Sequence, residues 1–300
     1  LKLKIAEQDI IYLSYDEPNA EKNYADLLSK VPWAKRIHGV KGSDAAHKAC
    51  AEISETDRFI TVDGDNIVDQ KFLDQVIDLD QHTDLKKSVI SWCGRNVING
   101  LVYGNGGLKC WPKDYVLNMR THEAADPNDI NAQVEFCWDA EYIQMSDCYS
   151  TVHNNASPKQ AWRAGFREGV KLALDRGVKV DKELFLQSHE KNLHMLYIWL
   201  MVGYDVPNGH FSVYGAREGL MMTMLSDWDY VQVRDFDYLD SHWEGISSMP
   251  MDVLYSEINN NGFMLRDELG IPIAPEPLSE DQSEFFKAVH HSFGRGKHLK

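Results

Sequence analysis

Asp63-Gly64-Asp65 is the sharpest chemical signal in the chain. Two carboxylates two residues apart directly follow a strand-like run, Phe59 to Val62. The Gly between them lets the backbone turn closely, so they can hold a hard divalent cation and leave positions open for diphosphate oxygens. The same tripeptide also makes an ordinary acidic turn, since Asp-Gly is a common turn dipeptide. His153 ends another strand-like run, in Thr-Val-His-Asn-Asn, and an imidazole there suits a third metal ligand or a plain hydrogen-bonded histidine. Asp139 and Glu141 follow Trp138, and a carboxylate at that point can take a proton from an acceptor hydroxyl or cap a helix.

Groups suited to phosphate lie on either side. In Gly104-Asn105-Gly106-Gly107-Leu108-Lys109 the glycines allow a backbone to approach a ligand, and Lys109 can neutralise a phosphate; a hairpin turn explains the same residues. Lys159, Arg163, Arg167 and Lys171 recur every four residues, a basic stripe fit for phosphates of a nucleic acid or a donor, or for a solvated helix face. Trp92, Trp111 and Trp138 lie near predicted element ends, as core residues or as platforms for a base or sugar.

The elements that must position these groups read as an α/β layer. Ile10 to Leu13 predicts a buried strand. Ala20, Tyr24, Leu27, Leu28 and Val31 mark one helical face ending near Pro32, and Arg36 to Val40 predicts a second strand. Ala45 to Ile53 predicts a second helix and Arg58 to Val62 a third strand, completing a β-α-β-α-β unit of the nucleotide-binding kind. Further on the pattern predicts a helix at Lys71 to Leu79, a strand at Val89 to Cys93 and a polar loop at Asp126 to Asp129. Strands follow at Val134 to Trp138 and Cys148 to His153. Ser157-Pro158 then opens a long helix with Trp162, Phe166, Val170 and Leu174 as its apolar stripe. Leu184 to Tyr204 reads as helical and Asp227 to Glu284 as acidic and turn-rich. The expected division is a catalytic core over 1–156 and a helical region over 157–300 packed on it.

Composition narrows the classes. A chain of 300 residues, 43% hydrophobic and 26% charged, buries a sizeable core, which excludes disorder and collagen. Five cysteines without a Cys-x-x-Cys pair favour reduced, mostly buried thiols over a disulfide framework. No apolar run reaches the length of a membrane span, and Leu-Lys-Leu-Lys-Ile lacks the features of a signal peptide, so a cytoplasmic protein is expected. The net charge of −15 is unevenly spread: Met221 to Phe286 holds fourteen acidic residues against Arg234 and Arg266. Acidity concentrated there does not veto a polyanionic substrate held elsewhere, although it predicts weak, salt-sensitive nonspecific affinity.

Taken together these residues resemble a known group. The β-α-β-α-β opening, the helix from Gly42-Ser43-Asp44 and the strand into Val62-Asp63-Gly64-Asp65 look like a GT-A glycosyltransferase with its Asp-x-Asp motif. Ser14 to Glu21, Pro32-Trp33-Ala34, Gly106 to Lys109, Phe136 to Asp139 and Ala161 to Lys171 resemble the phage and TET/JBP-associated glycosyltransferases of hydroxymethylated DNA bases, with coverage of roughly the first 240 residues. The resemblance implies a UDP-sugar donor, Asp63, Asp65 and His153 holding Mn²⁺ or Mg²⁺, and Tyr15, Asp16 and the Asp44-to-His47 helix start lining the uridine pocket. It implies Asp139 as the base, a hexosyl- or pentosyltransferase activity on the hydroxymethyl group of a pyrimidine in DNA, and a host-cytoplasm location if the chain is phage-encoded. The chain departs from many GT-A relatives in carrying His47 where Asn is usual. The alternatives are the same fold acting on a protein, glycan or small molecule, and a sugar-phosphate nucleotidyltransferase, which normally has a Gly-rich loop where this chain has Asp16-Glu17-Pro18-Asn19.

Overall fold

The structure, a computed structural model, describes residues 2–81, 88–104, 106–124, 136–137, 140–188 and 190–290. Short strands β1 (Lys2–Lys4) and β2 (Asp9–Ser14) precede α1 (Ala20–Lys30), β3 (Lys35–His38), α2 (Ser43–Ile53), β4 (Arg58–Asp63) and β5 (Asn66–Val68). After them come β6 (Val76–Asp78), β7 (Ser88–Asn96), β8 (Val102–Tyr103), β9 (Leu108–Pro112), α3 (Lys113–Asn118) and β10 (Glu141–Val152). Beyond these the described elements are helical: α4 (Pro158–Ala173), α5 (Glu190–Met201), α6 (Gly209–Leu225), α7 (Phe236–Ser247), α8 (Met251–Leu269) and α9 (Glu280–Val289).

The fold is a mixed α/β layer. Its main sheet runs β3-β2-β4-β9-β7-β10-β5, with β8 paired to β7; β1 and β6 form a separate antiparallel ribbon. β3, β2 and β4 are parallel, whereas β9 runs antiparallel to both β4 and β7. Side chains alternate across a strand, and both faces are covered. On one face Ile10, Tyr12, Ile60 and Val62 pack with Leu27 of α1. On the other, Ile11 and Phe59 pack with Cys50 and Ala51 of α2 and with Trp111. Burial pushes the thiols of Cys50 and Cys110 up to about 12, and no disulfide joins the cysteines among the described residues.

The helical half is built on two helices that touch at backbone distance. α4 starts where the sequence places it, with Pro158 at its first position and the Ser157 hydroxyl accepting from Gln160 N at 3.2 Å. Gly165 and Gly169 of α4 meet Gly215 and Gly219 of α6, and a Cβ on any of the four would fall within 2.4 Å of a carbonyl oxygen on the facing helix. Glycines four apart on both helices permit this approach. Behind them Arg217 is fully buried, and its guanidinium donates to the carbonyls of Leu200, Ile258 and Pro275.

Several expected elements differ. Residues predicted as a helix from Lys71 to Leu79 form a 3₁₀ turn, Gln70–Asp74, and then β6, because Val76–Asp78 finds a partner in β1. The Leu184 to Tyr204 run divides into a 3₁₀ segment, Lys182–Gln187, and α5. The acidic stretch from Asp227 to Glu284 is mainly helical, since α8 repeats Leu254, Ile258, Leu265 and Leu269 along one buried face. Trp92 and Trp111 are fully buried, Trp111 donating to Thr61 Oγ1 at 2.9 Å, so neither offers a stacking platform. Most of the expected strand Val134 to Trp138, and the loop Asp126 to Asp129, lie outside the described residues; Phe136 and Cys137 form a turn.

Candidate functional site

Parallel neighbours end side by side, so the turn after β4 and the loop after β2 share one edge of the sheet. Leu13 pairs in register with Asp63, and the order β3-β2-β4 places this edge where the connections diverge, the usual ligand crevice of an open α/β sheet. The acidic turn is held from below. Asn23 Nδ2 donates to the Gly64 carbonyl at 3.0 Å, the Tyr12 hydroxyl lies within hydrogen-bond reach of the same oxygen, and Asp63 N donates to Gly107 O at 3.0 Å. Gly107, at φ +94°, takes a backbone conformation that favours glycine, and a Cβ there would sit 2.3 Å from Asn66 Nδ2; one on Gly106 would meet the Gly94 backbone. The two glycines are thus required by close protein packing beside the turn.

Asp63 and Asp65 do not stand alone. The Glu17 carboxyl lies over Gly64, where an added Cβ would be 2.7 Å from its Cδ. Burial raises the Glu17 carboxyl, with the charges of Asp16 and Asp63 adding to it, although Tyr15 N donates to it at 2.8 Å. Burial first, then Asp63 and Glu17, push the Asp65 carboxyl up to about 7, against a 2.8 Å bond from Asn66 Nδ2. Asn66 is buried, and among the described residues its Oδ1 has no hydrogen-bond partner; neither has the Oδ1 of Asn19, whose Nδ2 donates to His153 O at 2.9 Å. Crowded oxygen donors with excess negative charge match a hard divalent cation.

Among the described residues no group of three or more His, Cys, Asp and Glu side chains is arranged to hold a metal by itself. Mg²⁺ commonly uses one or two carboxylates and completes its shell with water and phosphate oxygens, a demand that Asp63 and Asp65 can meet. His153 joins the turn through its backbone, N–H to Asp65 O at 2.7 Å, while its Nε2 lies 3.0 Å from Thr151 Oγ1. Burial, followed by the Lys22 charge, lowers the His153 pKa and so favours the neutral imidazole.

The start of α2 closes one side. Ser43 N donates to Glu123 Oε1 at 2.6 Å, a carboxylate cap on this helix end, and Asp44 is ion-paired with Lys48 at 2.8 Å while accepting from Thr121. His47, between Trp111 and Phe136, is kept neutral chiefly by burial, in the electrostatic range of Asp63 and Lys109. Lys109 sits on β9 opposite Thr61. Tyr15 and Asp16 are exposed on the loop after β2.

α4 also reaches this edge through its arginines. Its four basic residues do not act alike: Lys159 pairs with Asp240 at 2.8 Å and Lys171 with Glu168, whereas Arg163 and Arg167 both lie against Phe236 at the start of α7. Arg163 reaches Asp16 at 3.5 Å, and Arg167 is in electrostatic range of Asp65. Burial, then Arg234 and Arg167, push the His122 imidazole down to about 4. The structure therefore brings Asp16 to Arg163 and Asp65 within electrostatic range of Arg167, with His47 near Asp63 and Lys109 and with His153 tied to the turn through its backbone. Asp139 lies outside the described residues. Glu141, at the exposed start of β10, is bonded to Ser88 at 3.4 Å. Glu17, Asn66 and Phe236 escape the sequence reading as site residues; Glu17 precedes a Pro in a helix-start pattern and Asn66 follows the acidic pair directly, which is their signal.

No protein-family profile matches the chain, and no curated protein does. Among solved structures, a glycosyltransferase involved in the glycosylation of the major capsid of PBCV-1 is 13% identical, with a TM-score of 0.28 over 48% of this chain and 93% of that one. HddC from Yersinia pseudotuberculosis is 15% identical, with a TM-score of 0.23 over 45% and 68%. Scores this low bear on neither fold nor chemistry, so function must be argued from the site. No described helix is long and apolar enough to cross a membrane.

Proposed function

We propose that the chain is a GT-A-type, metal-dependent glycosyltransferase that moves a sugar from a UDP-sugar to the hydroxymethyl group of a pyrimidine in DNA. The observation that carries this reading is the acidic turn of Asp63 and Asp65 at the carboxyl end of β4, backed by Glu17 and faced by Arg163 and Arg167 of α4. In this reading Asp63 and Asp65 hold Mn²⁺ or Mg²⁺, with His153 beside them. The bound ion offsets the charge that develops on the departing nucleoside diphosphate. Tyr15, Asp16, Asp44 and His47 orient the nucleoside, and Lys109 neutralises charge on the β9 side. Asp139 takes the proton of the attacking hydroxyl. The acceptor class comes from the sequence resemblance over Phe136 to Asp139 and Ala161 to Lys171, and a base inside a duplex would have to be flipped out to reach the cleft.

The test incubates the protein with labelled UDP-sugars, duplexes with and without 5-hydroxymethylcytosine, and Mn²⁺ or chelator. Label should enter only the hydroxymethylated duplex, should need the cation, and should fall about a hundredfold or more in Asp65→Asn, as for removal of a main charge-stabilising group. Undiminished transfer under chelation, or in both Asp63→Asn and Asp65→Asn, would refute the mechanism. Transfer to other acceptors alone would refute the DNA assignment.

A further inference from the structure

Arg163 and Arg167 stand one helical turn apart on α4, and like charges at that spacing repel. Their guanidinium carbons nevertheless lie 5.0 and 5.1 Å from the centroid of the same ring, Phe236, which is 40% exposed. Arg163 is only loosely paired, with Asp16 at 3.5 Å, and among the described residues the buried Nε of Arg167 has no hydrogen-bond partner. Glu168, the nearest acid on α4, is already bonded to Tyr103 and Lys171. A guanidinium stays charged when buried, so both positive charges persist beside the acidic turn. A buried donor without an acceptor is destabilising in the free protein and becomes favourable when a ligand supplies one.

We infer that Arg163 and Arg167, braced by Phe236, form a subsite for one phosphate ester group beside the acidic turn. Two planar forks held by an aromatic ring match phosphate oxygens better than mobile lysines do. The assignment rests on the glycosyltransferase reading only for the source of the phosphate, which is either the diphosphate of the donor or a backbone phosphate of the acceptor strand.

The test compares wild type with Arg163→Gln, Arg167→Gln, Arg167→Lys and Phe236→Leu. UDP binding with Mn²⁺ is read by calorimetry, and binding of a hydroxymethylcytosine duplex by anisotropy over a salt series. Arg167→Gln should weaken one of these ligands about tenfold or more, Arg167→Lys should not restore it, and Phe236→Leu should weaken the same ligand by a smaller factor. Loss for UDP assigns the donor diphosphate. Loss for DNA, with a salt slope smaller by about one, assigns the acceptor backbone. If Arg167→Gln fails to fold, Arg163→Gln and Phe236→Leu carry the same comparison. Unchanged binding of both ligands in the folded variants overturns the subsite. If wild type binds neither, inorganic pyrophosphate is the probe: binding that Arg167→Gln abolishes keeps the subsite while the proposed function falls, and no binding overturns the subsite as well.

Discussion

Replacing Gly165 by Ala should be strongly destabilising, although intrinsic propensity points the other way. Ala is favoured over Gly inside a helix by about 1 kcal/mol. In α4, however, the new Cβ would lie 1.9 Å from Ser212 O and 2.7 Å from its carbonyl carbon, both backbone atoms of α6 that no rotamer change can move. The helices would have to part by about 1.5 Å to restore van der Waals distance, enough to forfeit a large share of the dispersion between them. Overpacking of this kind costs about 1–3 kcal/mol or more, and loosening of the Gly169, Gly215 and Gly219 contacts adds to it. A net loss of about 2–4 kcal/mol follows. Gly245→Ala supplies the control: this glycine lies within α7 with nothing within 4 Å of its would-be Cβ, so propensity should act alone and stabilise by about 0.5–1 kcal/mol. Urea unfolding followed by circular dichroism measures both. A Gly165→Ala protein as stable as wild type would refute the backbone-distance packing of α4 on α6. Under the proposed function a folded variant should also transfer sugar poorly, because Arg163 and Arg167 ride on the displaced helix.

Other perturbations test separate features. Arg217→Met removes a buried cation whose partners are carbonyls of α5, α8 and the following segment; burial already lowers its pKa to about 10. Leaving those oxygens without a donor should cost about 3–5 kcal/mol in urea unfolding, and a loss below about 1 kcal/mol would show that the bonds matter little. His242 donates to Glu218 at 2.9 Å, and that bond raises its pKa above the usual histidine value. The stabilisation should be complete below about pH 6.5 and vanish as pH rises through the higher folded value. Thermal midpoints of wild type should therefore fall across neutrality and those of His242→Gln should not; parallel curves would dismiss the pair.

Much of the α/β half can be read from the chain because its signals are local. Ile10 to Leu13 and Arg58 to Val62 are short apolar runs bounded by turn residues, and Ser157-Pro158 announces α4 within one residue. The position of Asp63 beside the first strand follows from parallel β-α-β order. What stays hidden depends on distant partners. The strand at Val76–Asp78 exists because Lys2–Lys4 lies alongside it, a pairing no window on either segment contains. α8 has a regular apolar repeat, but the acidic residues on its exposed side and those around it dilute the pattern. The basic stripe of α4 is visible as a stripe, and Lys171 finds Glu168 on its own helix, yet the pairing of Lys159 with Asp240 and of both arginines with a ring is decided by α7, some seventy residues later. Gly165 and Gly169 look like weak points until a second helix with the same spacing is laid on them.

The first turn of α7 is fastened on two sides by consecutive residues. Phe236 is wedged against the arginines of α4, while Asp237 meets Lys41 at 2.8 Å, with both of those side chains more than 70% exposed. An ion pair so open to solvent contributes only about 0–1 kcal/mol and weakens with salt. The two attachments share one short stretch of backbone, so a movement that swings the phenyl ring aside also drags on the carboxylate. The link between the loop before α2 and the ring that backs the arginines thus runs through a contact that added salt alone would dissolve, while the aromatic contact, being uncharged on one side, would outlast it.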